Sequence, residues 1–473
     1  MNMNTHQNTI DLAIRHFIDE KTSGRVAGNE LKDDILLTEA GVSMLEIYEI
    51  VVALEDRYGI SIEEADLQVK DYNVSSLSKC IKRKLIRKTN ETLSWKDAFE
   101  SIVFSGHAPA LKTPLTVHLD PTFRCTSRCI FCYDSSGGDH GLNEMTTDEL
   151  KKVIDGCREL DVFEITFGGG EPFIRNDFLE LLRYVKQQRL RFYILSNGTL
   201  ITKEVARELS GIMDRRFDKI QVSLDGPNPE IHDRQRGVPG TFEKTISGIR
   251  NLMENGIMPV VNTVLTKINY EYIPDMIPFL INQGIQVYRV LRLHPLGRCK
   301  DLRVYNELKL APEQTESIFE FLFQQREELV GQLQLSNDHA CIFPMSARLL
   351  RSNVRSLPGI PPASYACGAG TSKLSIGPDG SVYPCAYMYE FPELKIGSVR
   401  ENSMKELWEN DALWKVYREP LVPAGKCARC DYLYHCKTGC RILSYSVYGD
   451  MGAPDPGCYY EPSRLLTQEP VEK

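Results

Sequence analysis

The stretch that decides the fold is residues 115–132, LTVHLDPTFRCTSRCIFC, in which a short β-type run leads directly into three closely spaced cysteines. Cys125, Cys129 and Cys132 are separated by three and two residues. Three thiolates on one tight loop can bind three irons of a [4Fe-4S] cluster, for which four protein ligands are usual. The fourth iron is then open to a substrate or cofactor, just as an open position marks a catalytic zinc site. The alternative is a zinc loop that takes its fourth ligand from a nearby residue such as His118 or His140.

Around this loop, between residues 113 and 298, short β-rich runs alternate with amphipathic helices. The runs are Leu115–Leu119, Phe163–Phe167, Phe192–Leu195, Ile220–Leu224, Val260–Leu265 and Val287–Leu293. Strands joined by helices predict a parallel sheet, because right-handed crossovers set each strand beside the last. We therefore expect an α/β partial (β/α)6 barrel with its ligand site at the carboxyl ends of the strands.

The composition is that of a globular protein in a reducing compartment. The 473 residues are 42% hydrophobic and 25% charged. The formal net charge of -8 does not favour binding of nucleic acid or anionic lipid, which are themselves negative. Neither a signal peptide nor an apolar run of about 18 residues is present. We expect a cytoplasmic protein with neither nucleic acid nor membrane as a partner. Its 14 cysteines then indicate metal binding or catalysis rather than disulfides.

The cysteine spacing resembles that of the radical SAM superfamily, in which the open iron binds the amino and carboxylate groups of S-adenosylmethionine (SAM). Gly168, Gly169 and Gly170 follow the second predicted strand. Together with Glu171 they resemble the motif that meets the methionyl amino group. Polar residues at the ends of the third and fourth predicted strands resemble the ribose and methionine contacts of the family: Ser196, Asn197, Ser223 and Asp225. Arg236, in the stretch 232–240, would pair with the SAM carboxylate. For each of these five the alternative is a turn or cap residue.

The same resemblance implies the chemistry. A reduced cluster would give one electron to the sulfonium of SAM, and the resulting 5'-deoxyadenosyl radical would remove a hydrogen atom from the substrate. It also implies a one-electron reductant, such as flavodoxin or ferredoxin, as a partner.

A second set of cysteines lies near the C-terminus. In order they are Cys367, Cys385, Cys427, Cys430, Cys436, Cys440 and Cys458. Their order and spacing resemble the SPASM domain, named for maturases of subtilosin, pyrroloquinoline quinone, anaerobic sulfatases and mycofactocin. The alternative is a domain that binds two zinc ions.

The SPASM resemblance implies two auxiliary [4Fe-4S] clusters. One would be held by Cys427, Cys430, Cys436 and Cys458, and the other by Cys367, Cys385 and Cys440. The fourth ligand of the second cluster is open: it is Cys341, a non-cysteine residue, or the substrate itself.

The N-terminal region is helical in pattern, and residues 39–50, EAGVSMLEIYEI, contain Ser43 at the start of its second helix. It resembles an acyl or peptidyl carrier protein, in which that serine carries 4'-phosphopantetheine. The resemblance implies modification of Ser43 and a phosphopantetheinyl transferase as a partner. The alternative is a purely structural role, because Ser43 and Glu46 also have the spacing of a capping box.

These features predict a multidomain chain. Its parts are a carrier-like four-helix bundle at 1–88, a linker at 89–112, the partial barrel at 113–298, a helical connection at 299–360 and the SPASM domain at 361–473.

The leading interpretation is a radical SAM/SPASM oxidoreductase. It would act on a peptide or a carrier-bound amino-acyl or acyl group, with net oxidation through the auxiliary clusters, alongside biosynthetic partner enzymes. One alternative is a maturase of a ribosomal precursor peptide in which the N-terminal domain serves only for binding. The other is a non-catalytic iron-sulfur or zinc protein that transfers electrons or acts as a scaffold.

Overall fold

The computed structural model describes residues 3–58, 60, 62, 72–91, 110–138, 141, 143–336, 367–419, 421–430, 433–436 and 438–462. The chain divides into two compact units, Met1–Asp97 and Ala98–Lys473. Each unit has a hydrophobic core of its own.

The N-terminal unit is helical in its described part. It contains α1 (Met3–Lys21), α2 (Met44–Tyr58), α3 (Val74–Glu91) and a 3-10 turn at Gly28–Glu30. Each helix buries one apolar face, represented by Ile14, Ile47 and Leu77. The region between α2 and α3 includes residues 63–71, which lie outside the described residues, so the four-helix bundle stays a prediction. Helix α3 runs three residues past the predicted domain end because its sequence contains no helix breaker.

In its described residues, the larger unit is built on ten strands. They are β1 (Thr116–Leu119), β2 (Glu164–Phe167), β3 (Arg191–Ser196), β4 (Lys219–Ser223), β5 (Val260–Leu265), β6 (Val287–Arg292), β7 (Gln334–Ser336), β8 (Lys373–Ile376), β9 (Ser381–Tyr383) and β10 (Gly397–Ser398). The six strands predicted from the sequence are the first six, each within one residue of its predicted bounds, and they pair in parallel in chain order. The central α/β sheet is therefore confirmed.

The helices between the first six strands bury apolar side chains against the sheet, and further helices follow β6 and β10. They are α4 (Thr147–Glu159), α5 (Phe178–Gln187), α6 (Lys203–Ile212), α7 (Pro229–Arg236), α8 (Thr241–Glu254), α9 (Ile273–Asn282), α10 (Leu302–Leu308), α11 (Pro312–Glu328), α12 (Met404–Glu409), α13 (Asp411–Arg418), α14 (Leu433–Cys436) and α15 (Arg441–Tyr448). Helix α4 illustrates why they form: Thr146 and Glu149 cap its start reciprocally, and Leu150, Val153 and Ile154 face the core.

Side chains along a strand point alternately into the hydrophobic core and into a cavity. In β3, Phe192 and Ile194 are buried under the helices, whereas Tyr193 and Leu195 lie on the opposite face and line a cavity of about 400 Å³. Successive side chains of a strand point to opposite faces, which produces this division. The inner face of the partial barrel is therefore a cavity wall.

The cysteine-rich C-terminal region is continuous with the sheet, which the sequence analysis did not anticipate. Strand β8 pairs in parallel with β1, with Thr116 opposite Lys373, and β9 and β10 extend that edge in antiparallel fashion. At the other edge β7, from the connection predicted as helical over 299–360, pairs with β6. No helix in the described part of the chain is long and apolar enough to span a bilayer.

Candidate active site

The clustered cysteines lie on the loop that follows β1, and the thiols of Cys125, Cys129 and Cys132 line the barrel cavity. Seven of the nine residues predicted to contact SAM line the same cavity: Gly168, Gly169, Gly170, Ser196, Asn197, Ser223 and Arg236. The two remaining residues, Glu171 and Asp225, are fully buried behind its wall. The predicted contacts thus divide into a layer that faces the cavity and a layer that supports it.

Donor groups point at the sulfur atoms of the cysteine loop. The backbone N–H of Ser127 and the side-chain amide of Asn197 donate to Cys125 Sγ at 3.4 and 3.6 Å. Burial, followed by the charge of Glu171, raises the pKa of the Cys125 thiol to about 11. The free thiol is therefore protonated at neutral pH, and iron must displace that proton when it binds.

The glycine run packs directly on the backbone of the cysteine loop. Gly170 N–H donates to Thr122 O at 2.8 Å, and a Cβ at Gly170 would lie 2.1 Å from Arg124 O. No side chain fits there without moving the loop. The family resemblance implies that these glycines meet the methionyl amino group, and the structure adds this second reason for them.

A further clamp on the loop is Arg298, which the sequence analysis did not single out. Its guanidinium donates to Cys129 O at 2.8 Å, to Ser135 O at 3.0 Å and to Ser136 O at 2.5 Å. Its backbone N–H also donates to Cys132 O at 3.0 Å. Arg298 is not part of a recognisable sequence motif, so its contacts with the cysteine loop could be found only from the structure.

Arg236 and Asp225 form a buried ion pair at the cavity wall. Their charged groups are 2.7 Å apart, and Asp225 Oδ1 also accepts from Val264 N–H at 2.9 Å. Held in this way, Arg236 Nη1 lies 3.4 Å from Cys129 Sγ. Asp225 therefore orients a cavity cation and does not itself face the cavity.

Glu171 supports the wall in the same manner. Its carboxylate accepts from Ser196 Oγ at 2.9 Å and from Asn197 N–H at 2.7 Å. Complete burial raises the pKa of Glu171 to about 7, although these hydrogen bonds oppose the rise. Glu171 fixes two residues that face the cavity.

A histidine-carboxylate pair, not predicted as a site, lies beside the glycine run. His118 Nε2 is 2.8 Å from Asp120 Oδ1, and a Cβ at Gly168 would come within 2.7 Å of that nitrogen. Asp120 thus holds the ring of His118, which was one of the two histidines considered for the zinc alternative, beside the cavity. The other histidine considered for that role, His140, lies outside the described residues.

The C-terminal thiols influence one another electrostatically within two groups, and their assignment to two clusters stays a prediction. In the first group, burial raises the pKa of Cys440, and the thiols of Cys367 and Cys385 raise it further. The second group consists of Cys427, Cys430, Cys436 and Cys458. Cys385 also lines the barrel cavity, so the first group adjoins the SAM-type site. Cys341 lies outside the described residues.

These donors fit iron-sulfur clusters. Among the described residues, no three His, Cys, Asp or Glu side chains converge closely enough for a single metal ion. Thiols that bind different irons of one cluster are spread more widely than ligands of one ion. The three groups contain thiols alone, and cysteine thiolates are the usual ligands of such clusters.

Ser43 lies at the start of α2 in the N-terminal unit. Its exposed hydroxyl donates to Glu46 Oε2 at 2.7 Å and accepts from Glu46 N–H at 3.3 Å, while Ser43 N–H donates to Glu46 Oε2. The capping box is therefore formed. Arg25 also binds the Glu46 carboxylate at 2.7 and 2.8 Å. The phosphopantetheine on Ser43 stays a prediction.

Comparison with known proteins identifies the family. The Radical SAM superfamily profile matches residues 119–280, and the iron-sulfur cluster-binding SPASM profile matches residues 367–431. The AdoMet-dependent heme synthase of Methanosarcina barkeri is 31% identical over 359 residues, which span 74% of this chain and 98% of that protein. The chain belongs to the radical SAM superfamily. Mycofactocin maturase MftC of Mycolicibacterium smegmatis is 29% identical, spanning 74% of this chain and 83% of that one.

Solved structures agree on the fold. This radical SAM chain superposes on Streptococcus suis SuiB bound to its precursor peptide SuiA with a TM-score of 0.63 at 18% identity, over 84% of this chain and 93% of that one. The S-adenosylmethionine complex of SuiB gives a TM-score of 0.60 at 19% identity, over 87% of each chain. The profile matches and the curated relatives make the chain a radical SAM enzyme with a SPASM domain, so the non-catalytic alternative is wrong.

Proposed function

We propose that this radical SAM enzyme abstracts a hydrogen atom from a peptide or a carrier-tethered amino-acyl or acyl group and oxidises it. The observation that carries the proposal is one cavity lined by the cysteine loop, the glycine run, Arg236 and Cys385. When bound there, the cluster and SAM supply a 5'-deoxyadenosyl radical that takes the hydrogen atom.

The residues of the chain bind and orient the cofactor. The guanidinium of Arg236 pairs with the SAM carboxylate, because a planar fork of donors suits that group. Carbonyl groups of Gly168, Gly169 and Gly170 accept from its ammonium, and Ser196 and Asn197, held by Glu171, bind the ribose. Ser223, at the end of β4, is a further contact across the sheet.

Net oxidation is supported by the auxiliary thiols. Cys385 borders the cavity, so a cluster held by Cys367, Cys385 and Cys440 would lie next to a substrate radical. That cluster would accept the electron, and the substrate would release a proton to solvent. A flavodoxin or ferredoxin would reduce the first cluster. The test is the product mass: loss of two hydrogen masses indicates oxidation, whereas an unchanged hydrogen count argues against it.

A peptide substrate is supported by the relatives that are named as a mycofactocin maturase and as a precursor-peptide complex. The experiment is anaerobic incubation of the reconstituted enzyme with SAM, a reductant and a short peptide encoded beside its gene. We expect the peptide to change mass only when SAM is present. A peptide of scrambled sequence is the control.

The carrier role of the N-terminal unit is supported by the exposed Ser43 hydroxyl at a helix start. A covalent tether would raise the substrate concentration near the barrel to the order of mM. Intact-mass analysis after treatment with a phosphopantetheinyl transferase and coenzyme A tests it. We expect a phosphopantetheine mass gain in the wild type and none in Ser43→Asn, which keeps the helix cap but lacks the hydroxyl. If the wild type gains no phosphopantetheine mass, the alternative in which the N-terminal domain only binds a precursor peptide is favoured.

A second candidate is a carboxylated tetrapyrrole. It is favoured by 31% identity over 98% of a protein named AdoMet-dependent heme synthase. Arg289 and Lys373 line the cavity, and Asp134 is the one carboxylate among its described lining residues. Anaerobic turnover with iron-coproporphyrin should then release carbon dioxide. Turnover of a peptide without any loss of carboxyl groups from the porphyrin would reject this candidate.

A further inference from the structure

A buried ion pair links the barrel to the auxiliary thiols. Arg292 is the last residue of β6, and Asp455 lies in the chain between Cys440 and Cys458. The guanidinium binds both carboxylate oxygens, at 2.6 and 2.5 Å. The two side chains are 9% and 1% exposed, so solvent screens the pair little.

Asp455 contacts both groups of thiol-bearing residues. Its Oδ2 accepts from the N–H of Cys440 at 2.8 Å, and its backbone carbonyl accepts from the N–H of Cys458 at 2.9 Å. Cys440 belongs to the group with Cys367 and Cys385, whereas Cys458 belongs to the other group. One residue therefore fixes a ligand position in each group.

Two glycines leave room for this arrangement. A Cβ at Gly439 would lie 2.6 Å from the Cβ of Asp455, and one at Gly457 would lie 1.9 Å from Arg292 Nη1. Gly457 N–H also donates to Asp455 Oδ1 at 2.8 Å. The local sequence is thus shaped around the pair.

The carboxylate is held in its charged form. The bidentate contact with the Arg292 guanidinium and the N–H donors of Cys440 and Gly457 stabilise its negative charge. The residue contacts both groups directly, because its carboxylate accepts from Cys440 N–H and its backbone carbonyl accepts from Cys458 N–H. A fixed negative charge therefore lies beside both groups, and its positive partner lines the barrel cavity.

We propose that the Arg292–Asp455 pair positions both auxiliary iron-sulfur sites against the barrel and sets their reduction potentials. The inference rests on the proposed function, since it requires that the two thiol groups bind clusters. Asp455 acts here as a positioning residue, through its oxygen atoms that accept from backbone N–H groups and through its charge.

Electrostatics predicts opposite effects for the two partners. Adding an electron beside a negative charge is unfavourable, so loss of the Asp455 charge raises the reduction potentials of the auxiliary clusters. Loss of the Arg292 charge lowers them for the same reason. If the pair were purely structural, loss of either charge would have the same effect, namely a lower content of auxiliary clusters.

The experiment is a redox titration of the full chain followed by electron paramagnetic resonance. All samples carry alanine at Cys125, Cys129 and Cys132, so that only auxiliary clusters report. At the midpoint potential of this background, the ratio of reduced to oxidised cluster should rise about tenfold in Asp455→Asn and fall about tenfold in Arg292→Gln. The exposed Glu208→Gln is the matched control and should leave the ratio unchanged.

Charge-preserving variants keep the test decisive if a neutral variant binds less iron. Asp455→Glu and Arg292→Lys should retain the potential of the background, even with a lower thermal midpoint. If Asp455→Asn and Arg292→Gln bind full iron but leave the reduction potentials unshifted, or shift them in the same direction, this inference is wrong and the proposed function still stands. Absence of iron and sulfide from the C-terminal cysteines of the unsubstituted chain would overturn the proposed function as well.

Discussion

At the scale of single residues, the candidate site has two layers. Ser196, Asn197 and Arg236 face the cavity, and Glu171 and Asp225 hold them from behind. Four of them lie at or just after the ends of strands, and Arg236 ends the helix that follows β4, so the family motif pointed to them from the sequence. Position at a strand end does not say which way a loop side chain turns, so the division into layers required the structure.

Arg236→Lys should weaken SAM binding roughly tenfold while leaving the iron content of the first cluster near that of the wild type. Lysine retains the charge but lacks the fork of donors that pairs with a carboxylate and with Asp225. Equilibrium binding of SAM to the anaerobic reconstituted protein measures the effect. Arg234→Lys, on the exposed face of the same helix, is the control, and equal affinities for the two variants would contradict the assignment.

Glu171 gives a prediction for pH. Its folded-state pKa of about 7 lies above its ordinary value of 4.5, so its protonated form contributes stability that is fully present below about pH 4.5 and is lost as pH rises through 7. Glu171→Gln removes this dependence. The free energy of unfolding of the variant, relative to the wild type, should increase by about 2–3 kcal/mol between pH 5 and pH 8. Denaturant unfolding of the metal-free protein measures it, and a constant difference would refute the assignment.

At the scale of elements, the sequence predicted the strands that alternate and missed the strands that are short. Strands β1 to β6 carry four to six residues of β-type pattern, followed by amphipathic helices. Strands β9 and β10 contain only three and two residues. Strand β8 pairs with β1 although most of the sequence of the larger unit lies between them. Such pairing is set by tertiary contacts and leaves no local periodicity to find.

The contact between the glycine run and the cysteine loop can be tested with one methyl group. Gly170→Ala should push its Cβ into Arg124 O, lower stability by more than about 2 kcal/mol and reduce iron bound by the first cluster. Gly211→Ala is the matched control, because its Cβ would meet open space in helix α6, and it should stabilise by about 0.5–1 kcal/mol. Iron analysis and thermal unfolding measure both. Normal iron content in Gly170→Ala would contradict the packing argument.

Helix α2 provides a stability prediction that is independent of any modification of Ser43. Ser43→Ala removes the acceptor for Glu46 N–H and should destabilise the N-terminal unit by about 1 kcal/mol. Ser43→Asn should restore most of that loss, since asparagine is an equally good cap. Circular dichroism during thermal unfolding compares the two. Identical stability of Ser43→Ala and the wild type would mean that the capping box contributes nothing.

At the scale of the whole molecule, the sequence identified the parts and the structure joined two of them. The barrel and the cysteine-rich region share one sheet, and the Arg292–Asp455 pair ties them together. The N-terminal unit has its own core and is compact by itself. The sequence could not reveal the shared sheet, because cysteine spacing reports ligand order and carries no information on strand pairing.

Removal of the N-terminal unit tests this organisation. A chain that starts at Ala98 should still bind iron and cleave SAM at a rate within about twofold of the full chain, because the larger unit has a complete core. It should lose turnover of any substrate that the N-terminal unit tethers or binds. Loss of SAM cleavage in the truncated chain would show that the two units depend on each other.

The measurement that tests the central claim most directly is anaerobic cleavage of SAM by the reconstituted full chain with a strong reductant. 5'-Deoxyadenosine is quantified alongside iron and sulfide. We predict iron and sulfide for about three [4Fe-4S] clusters per chain, and nucleoside formation that is abolished when Cys125, Cys129 and Cys132 are replaced by alanine. Iron without nucleoside, or nucleoside that survives the triple substitution, would contradict the assignment of this cavity as the radical-generating site.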